Sequence, residues 1–290
     1  MISKFCSAVI AFLITAIALS QSRDNIVIRG VLNTHLCSDT WVFKSFSGNL
    51  KPIEGTLSKD NSFRLSLPAA TAPGVYRIKY NEDCVNQFVD IIINGKDEEI
   101  SFVLNSSKDF AVFEGSEENK LWSKYQIESQ SQAAKLEILY QFLSFYPAAQ
   151  DKVVQEVVEA VSLEGKVYYD NFHHFQKKNK GSWAEKMVTN QPYYFSNPTA
   201  VPTRRDFVRH DYCWDGINTH DPKLINTPLY KTLIDDYFEF NATDGDTAAE
   251  REDRFNINAA VMMEKFSHNL TTKSFATDYL KEKRSQIKRD

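Results

Sequence analysis

Residues 100–119 read ISFVLNSSKDFAVFEGSEEN, and this stretch decides the fold because one hydrophobic period gives way to another within it. Ile100, Phe102 and Leu104 are separated by single residues, which is the period of a β-strand with one buried face. After Gly115 the apolar residues instead recur every three or four positions, as in an amphipathic helix. We therefore predict an α+β fold in which an N-terminal antiparallel β-sandwich domain, residues 21–115, is followed by an all-helical domain, residues 116–290.

The period of two continues upstream to about residue 25. Phe63, Leu65 and Leu67 alternate with polar residues, and turn-forming pairs such as Asn94-Gly95 separate the segments. Seven short strands of this kind within about 90 residues are typical of a β-sandwich. The predicted strands are residues 26–31, 41–46, 63–67, 76–80, 88–93, 100–104 and 110–113.

Apolar stripes predict helices in the second part of the chain. Residues 136–146 form one stripe that Pro147 ends, and residues 153–175 form a second stripe on a helix of about thirty residues. Three further helices begin at caps, namely Ser182, Thr227 before Pro228, and the capping box from Thr247 to Glu250.

Residues 190–226 are predicted to be an irregular but packed loop, because prolines and aromatic residues are frequent there. This loop is also the candidate contact surface, since exposed Tyr and Trp supply contact area at low entropic cost. The other interpretation, which we prefer, is that the same rings fill the core. The candidate residues are Tyr193, Tyr194, Phe195, Tyr212 and Trp214.

The N-terminus has the pattern of a secretory signal peptide. Lys4 precedes an apolar run that ends at Leu19, and the small residues Ala18 and Ser20 fit a signal-peptidase site, which predicts a signal peptide over residues 1–20. The run is short for a membrane-spanning helix, although a retained anchor is the alternative. We therefore expect an exported protein, periplasmic or associated with the outer envelope, with no transmembrane segment after signal removal.

Export changes how the cysteines are interpreted, because disulfides form in oxidising compartments. Cys6 lies within the predicted signal peptide, so Cys37, Cys84 and Cys213 remain. Cys37 and Cys84 are either joined by a disulfide or are two buried thiols on different strands. Cys213 is the candidate free thiol, as a reactive group near His210 or as a small buried hydrophobe.

Charge and motifs exclude several classes of function. A net charge of −4 provides no field that would attract nucleic acid, and the basic run within residues 281–289 is interpreted as a solvated helix face. The sequence contains no Cys-x-x-Cys, no Gly-x-Ser-x-Gly elbow and no phosphate-binding loop, so no catalytic or cofactor-binding residue is predicted.

A metal site is the weaker of two interpretations of the histidines and acids in loop 190–226. Imidazole and carboxylate are ordinary Zn²⁺ ligands, but adjacent residues rarely bind one metal ion together. Structural hydrogen bonding is therefore preferred, and no metal ligand is predicted. The residues in question are His210, Asp211, Asp215, His220 and Asp221.

Six segments together suggest a family. They are Gly30 in the first predicted strand and residues 60–63 (DNSF), 73–76 (PGVY), 113–119 (FEGSEEN), 210–215 (HDYCWD) and 221–228 (DPKLINTP). The chain resembles the N-terminal domain of unknown function and the connecting region of exported Bacteroidetes TlpA-like thiol-disulfide oxidoreductases, which carry a thioredoxin-like module. In that family the module contains a Cys-x-x-Cys pair, whereas this sequence reaches Asp290 in a charged helix without one. No catalytic residue of the family therefore has a matching position.

These observations favour a non-catalytic accessory or binding protein of the periplasm or cell envelope, requiring no cofactor. The resemblance implies that its partner is another envelope protein or a thioredoxin-fold protein. The alternative is a thiol-disulfide oxidoreductase, either truncated or acting with a separate thioredoxin partner.

Overall fold

The structure is a computed structural model, and it has the α+β architecture that the sequence predicts, with strands in two sheets followed by helices. It describes residues 25–33, 39–48, 50–80, 87–105, 110–146, 151–190, 214, 216–240 and 247–287. We call residues 25–114 the strand half and residues 116–287 the helical half.

The described part of the strand half forms two four-stranded sheets. The first sheet has the order β4-β1-β7-β8 and the second has the order β3-β2-β5-β6. All seven predicted strands are present, and the additional strand β3 contains only one large apolar residue, which explains why alternation did not reveal it. The bounds are β1 Asn25–Asn33, β2 Thr40–Ser45, β3 Ile53–Thr56, β4 Ser62–Pro68, β5 Gly74–Tyr80, β6 Phe88–Ile93, β7 Glu99–Asn105 and β8 Val112–Glu114.

One strand pair corrects the prediction of a wholly antiparallel arrangement. β1 and β7 are parallel, with Val27 opposite Glu99 and Asn33 opposite Asn105. The five other strand pairs of the described residues are antiparallel. The period of two reports which face of a strand is buried and carries no information about strand direction, so this pair could not be predicted from alternation.

Buried side chains of the two sheets form one hydrophobic cluster. Ile28 of the first sheet and Phe43 and Ile78 of the second are fully buried in it. The rings of Trp41 and Phe63, which belong to different sheets, lie 5.0 Å apart. Burying a side chain of this size contributes about 1.5–3 kcal/mol, so this shared cluster is the main source of stability in the strand half.

The described part of the helical half contains six α-helices and one 3₁₀ helix. Ser182 caps its helix by accepting a hydrogen bond from Glu185 N–H, and Thr247 and Glu250 form the predicted capping box. None of the described helices is both long enough and apolar enough to cross a membrane. The bounds are α1 Glu117–Phe145, α2 Lys152–Lys178, α3 Trp183–Thr189, the 3₁₀ helix Pro222–Asn226, α4 Leu229–Phe240, α5 Ala248–Lys265 and α6 Leu270–Ile287.

The chain passes from β8 into α1 at Gly115, and a buried side-chain amide just after this point connects the two halves. Gly115 has φ +82°, and Ser116 caps α1 by accepting a hydrogen bond from Asn119 N–H. The Asn119 side chain then pairs with the backbone of Ile92 on β6, an edge strand of the second sheet, through two hydrogen bonds of 2.8 Å. This pairing satisfies backbone groups that an edge strand otherwise leaves open.

The two halves also share a core. Val75 and Ile92 of the second sheet and Phe46, directly after β2, belong to the same buried cluster as Trp122 and Tyr230 of the helical half. Because this cluster is separate from the one between the sheets, the second sheet is covered on both faces near this end. The contact fixes the position of the 3₁₀ helix and α6 against the strand half.

Gly74 offers a test of this contact. A Cβ at Gly74 would lie 2.7 Å from the backbone oxygen of Asn226, whereas one at Gly165 in α2 would meet nothing within 4 Å. We expect Gly74→Ala to lower the free energy of unfolding by about 2 kcal/mol, because the crowding atom is backbone and cannot turn aside. Gly165→Ala, the matched control, should raise it by about 0.5–1 kcal/mol through helix propensity. Urea unfolding measures both, and a Gly74→Ala protein as stable as the wild type would contradict close docking of the halves.

Candidate functional site

A cleft of about 570 Å³ lies where the two halves meet. One wall is formed by Phe46 and Ser47 after β2 and by Pro73 before β5. The 3₁₀ helix contributes Asn226 to its floor, and α6 forms the facing wall. We call this the joint cleft.

The α6 wall is one face of a helix. The lining residues of α6 recur every three or four positions, which places them on a single side. Phe275 and Tyr279 are half-buried and stack with ring centroids 6.0 Å apart, while the polar members are exposed. The face therefore offers an aromatic surface with polar groups along it. Its residues are Thr271, Ser274, Phe275, Asp278, Tyr279 and Glu282.

The floor of the joint cleft is held by hydrogen bonds between the halves. Ser47 Oγ donates to Asn226 Oδ1 at 2.5 Å, and Asn226 Nδ2 donates to the Pro73 carbonyl at 3.2 Å. Asp221 caps the 3₁₀ helix by accepting from Lys223 N–H at 2.9 Å, and it forms an ion pair with Lys186 at 2.6 Å. Burial would raise the pKa of the Asp221 carboxyl, but these hydrogen bonds and the two lysine charges outweigh burial and lower it. The floor is thus formed before any ligand binds.

Tyr279 is fixed in the wall by its hydroxyl group. Tyr279 OH donates to both Asp235 oxygens, at 2.8 and 2.9 Å. Burial and this carboxylate raise the pKa of Tyr279 well above its ordinary value, so the phenol stays protonated. Lys231 Nζ lies 5.5 Å from the centroid of the same ring, close enough for a cation–π interaction.

Charged residues stand on the outer face of the second sheet, next to Phe46. Lys44 on β2 lies directly opposite Arg77 on β5, and both are on the face that Phe46 shares. The Arg77 guanidinium lies 5.0 Å from the Phe46 ring. Burial lowers the pKa of Lys44, and the charges of Lys79, Arg77 and Lys231 lower it further, while the Asp90 carboxylate acts in the opposite direction.

This arrangement is suited to binding. The described lining residues of the joint cleft include neither His nor Cys. Throughout the residues that the structure describes, no group of three or more His, Cys, Asp or Glu side chains is placed to hold a metal ion. What the cleft presents is aromatic surface, hydrogen-bonding groups and charge, which are the elements of a small-molecule site.

A second cavity of about 170 Å³ lies between α1 and α2. Tyr125, Tyr168 and His174 line it. It holds about a third of the volume of the joint cleft, and we regard it as the less favourable site for a ligand.

Trp214 is the one predicted contact residue within the described part of the chain. Its side chain is only 7% exposed, and its ring lies 5.2 Å from Tyr237 and 6.0 Å from Phe266. For Trp214 the structure therefore favours core packing over partner contact. The other four residues of the candidate surface lie outside the described residues, and their role stays a prediction: Tyr193, Tyr194, Phe195 and Tyr212.

The predicted thiol sites also lie outside the described residues, at Cys37, Cys84 and Cys213. Of the weighed metal ligands, His220 and Asp221 are described. Asp221 is occupied by its ion pair and cap, and the His220 ring packs edge-on against His268 at 4.8 Å. The absence of a metal site at these residues stays a prediction. The remaining three, His210, Asp211 and Asp215, are not described.

Sequence reasoning missed the α6 wall. The sequence interpretation covered only the basic run within residues 281–289 and left out Phe275 and Tyr279, which stand four residues apart and therefore on one side of a helix. That spacing was the available signal. The floor residues fall in the last part of the segment 190–226, at side chains other than the predicted contact residues.

Comparisons of the chain with protein-family models, with curated proteins and with solved structures found no match. The assignment of the joint cleft as the candidate site therefore depends on its geometry.

Proposed function

We propose that the protein is an exported, non-catalytic binding or accessory protein of the bacterial cell envelope and that its ligand occupies the joint cleft. The observation that carries this proposal is the cleft itself, since about 570 Å³ lies within the range of small-molecule sites. Its floor is held by hydrogen bonds between the halves through Asn226, so little ordering would accompany binding.

We also infer that the two sheets form the predicted β-sandwich. The support is the single hydrophobic cluster to which both sheets contribute, including the Trp41–Phe63 ring contact. In this interpretation the strand half is a rigid support that presents Phe46 and Ser47 to the cleft.

Export and the family relationship belong to the same proposal. Export is supported by the apolar run behind Lys4, which lies outside the described residues. The relationship to TlpA-like proteins would make another envelope protein or a thioredoxin-fold protein the partner. Three residues within the resembling segments, Gly74, Asn119 and Asn226, lie at the contact between the halves, which supports a scaffolding role for these segments.

Filling the joint cleft tests whether it binds ligands. The probe is the neutral, apolar fluorophore N-phenyl-1-naphthylamine, which we expect to bind between Phe46 and Phe275. Ser274 is exposed on the α6 wall, and Ser274→Trp should weaken dye binding at least about tenfold by occupying the space. Ser162→Trp, at an exposed position of α2, is the matched control and should leave binding unchanged. Equal dye affinity in both variants would show that the cleft is not the site.

A thiol assay separates this proposal from the oxidoreductase alternative. The mature protein is incubated with insulin and dithiothreitol, and precipitation of reduced insulin is followed by turbidity. A non-catalytic protein should leave the rate at the value without protein, because the chain contains no Cys-x-x-Cys pair. If the rate of insulin precipitation rises with protein concentration, and this increase is absent in the Cys213→Ser variant, the result would favour the oxidoreductase alternative.

A further inference from the structure

Helix α1 carries apolar side chains on two opposite sides. On one side Leu136 is fully buried, in a cluster with Val161 of α2. Ile127, Ile138 and Phe145 are instead 42%, 67% and 86% exposed. Because a helix turns by about 100° per residue, these three residues share one side, about half a turn away from Leu136. A line of exposed apolar side chains on one helix face indicates an interaction surface.

The exposed side of α1 has the spacing of a coiled-coil seam. From residue 127 to residue 145 its positions are separated by alternating steps of four and three residues, which is the heptad pattern. All six positions are exposed, and the two at the centre are small, which lets helix backbones approach closely. We call these six residues the α1 seam: Ile127, Ser131, Ala134, Ile138, Gln141 and Phe145.

Opposite charges lie along one edge of the α1 seam. Glu128 and Lys135 each stand directly after a seam residue. Within the chain, Glu128 lies 3.8 Å from Lys124, and Lys135 lies 3.6 Å from Glu164. The side chains of Glu128 and Lys135 stay more than half exposed in these long ion pairs, and such pairs contribute little to stability. Both charges can therefore also interact with a partner.

A second copy of the chain supplies the matching charges when two α1 seams pack antiparallel. With the two small residues at the centre of each seam facing each other, a two-fold axis places Ile127 against the partner's Ile138. The same edge of both helices then comes together, so Glu128 lies beside the partner's Lys135. Symmetry repeats this ion pair on the other half of the interface, and pairs of this kind determine partner choice and orientation in coiled coils.

Other arrangements of two α1 seams bring like charges together. Lys124 continues the seam one step towards the N-terminus of α1, so in a parallel pair it would face its own copy. In an antiparallel pair shifted by one heptad, either Lys135 or Glu128 would lie beside its own copy. Since like charges across an interface disfavour the arrangement, charge favours one orientation and one register.

We propose that the protein forms a homodimer in which two α1 helices pack antiparallel through the α1 seam. The inference goes beyond the proposed function, because no residue of the α1 seam lines the joint cleft. Each protomer keeps its own cleft, so a failure of dimerisation and a failure of ligand binding are separate results.

Sedimentation velocity of the mature protein at increasing concentration measures the dimer. Ile138→Glu should raise its dissociation constant at least about a hundredfold, because both protomers then place a charge in the apolar seam. Leu163→Glu is the matched control, since Leu163 lies on α2 and is 63% exposed, and this variant should dimerise like the wild type. A wild-type protein that stays monomeric, or equal dissociation constants in the two variants, would overturn the proposal.

Charge reversal tests the orientation and the register. Glu128→Lys and Lys135→Glu should each weaken self-association about tenfold, because each homodimer then carries like charges along this edge. A mixture of the two variants should form a heterodimer about as tight as the wild-type dimer, since opposite charges meet again. If the mixture associates no more tightly than either variant alone, the two helices do not pair as proposed.

Discussion

Replacing Asn119 with leucine should lower the free energy of unfolding by about 4 kcal/mol, because two buried backbone groups lose their partner at once. Asn119 is fully buried, its Nδ2 donates to the Ile92 carbonyl at 2.8 Å, and its Oδ1 accepts from Ile92 N–H at 2.8 Å. An unsatisfied buried donor or acceptor costs about 1–3 kcal/mol. Leucine has the same number and branching of side-chain heavy atoms as asparagine but a larger volume, so the replacement opens no cavity, and the loss would report the broken hydrogen bonds together with crowding by the methyl groups.

Asn33→Leu is the matched control. The Asn33 side chain makes one long hydrogen bond of 3.4 Å to Asn105, and both residues are at the solvent-exposed ends of their strands. Replacing Asn33 with leucine should change the free energy of unfolding by no more than about 0.5 kcal/mol. The measurement is urea unfolding followed by circular dichroism. A difference of less than about 1 kcal/mol between the two variants would mean that water reaches the Ile92 backbone and that the halves are not joined as described.

The position of each predicted strand could be found from the sequence because one face of each is buried. Phe63, Leu65 and Leu67 alternate with exposed residues and enter the shared cluster as the period of two requires. The pairing partners of a strand and its direction in the sheet depend on contacts between residues that are far apart in the sequence. The parallel pairing of β1 with β7 brings Gly30 opposite Phe102, and no local pattern in either strand encodes that match.

The change from strand to helix at Gly115 was the feature that the local sequence indicated most clearly, and the structure explains why. A left-handed glycine, a serine cap and an acidic first turn act within a few residues, so each can be recognised from neighbours in the sequence. The role of Asn119 could not be recognised in the same way, because its partner Ile92 is 27 residues away. Local chemistry located the helix start, and tertiary structure gave the asparagine its function.

The joint cleft could not be predicted because its walls come from distant parts of the chain. Phe46, Asn226 and Tyr279 each have an ordinary local explanation as a strand residue, a 3₁₀ residue and a helix residue. Only the docking of the two halves brings them to one cavity. Trp214 illustrates the converse, since the sequence left both a contact surface and core packing open for this ring, and the structure places it in the core.

Oxidised mature protein should contain a disulfide between Cys37 and Cys84, and removing it should lower the free energy of unfolding by about 4 kcal/mol. The estimate is the chain-entropy value for a closed loop of about 47 residues. Both cysteines lie outside the described residues, but the strands that lead to them are described. Trp41 on β2 lies opposite Tyr80 on β5 in an antiparallel pair. Cys37 stands four residues before Trp41 and Cys84 four residues after Tyr80, so in the sequence both cysteines lie close to the same end of this strand pair.

Thiol counting and unfolding together test the bridge. Protein oxidised and then denatured without reductant should show one thiol, that of Cys213, and three after reduction. Cys37→Ser and Cys84→Ser should each lower stability by about 4 kcal/mol and the double variant by no more, because either change opens the same loop. Cys213→Ser should leave both the bridge and the stability of the strand half unchanged. Three thiols in the oxidised protein, or additive losses in the double variant, would establish the alternative of two separate buried thiols.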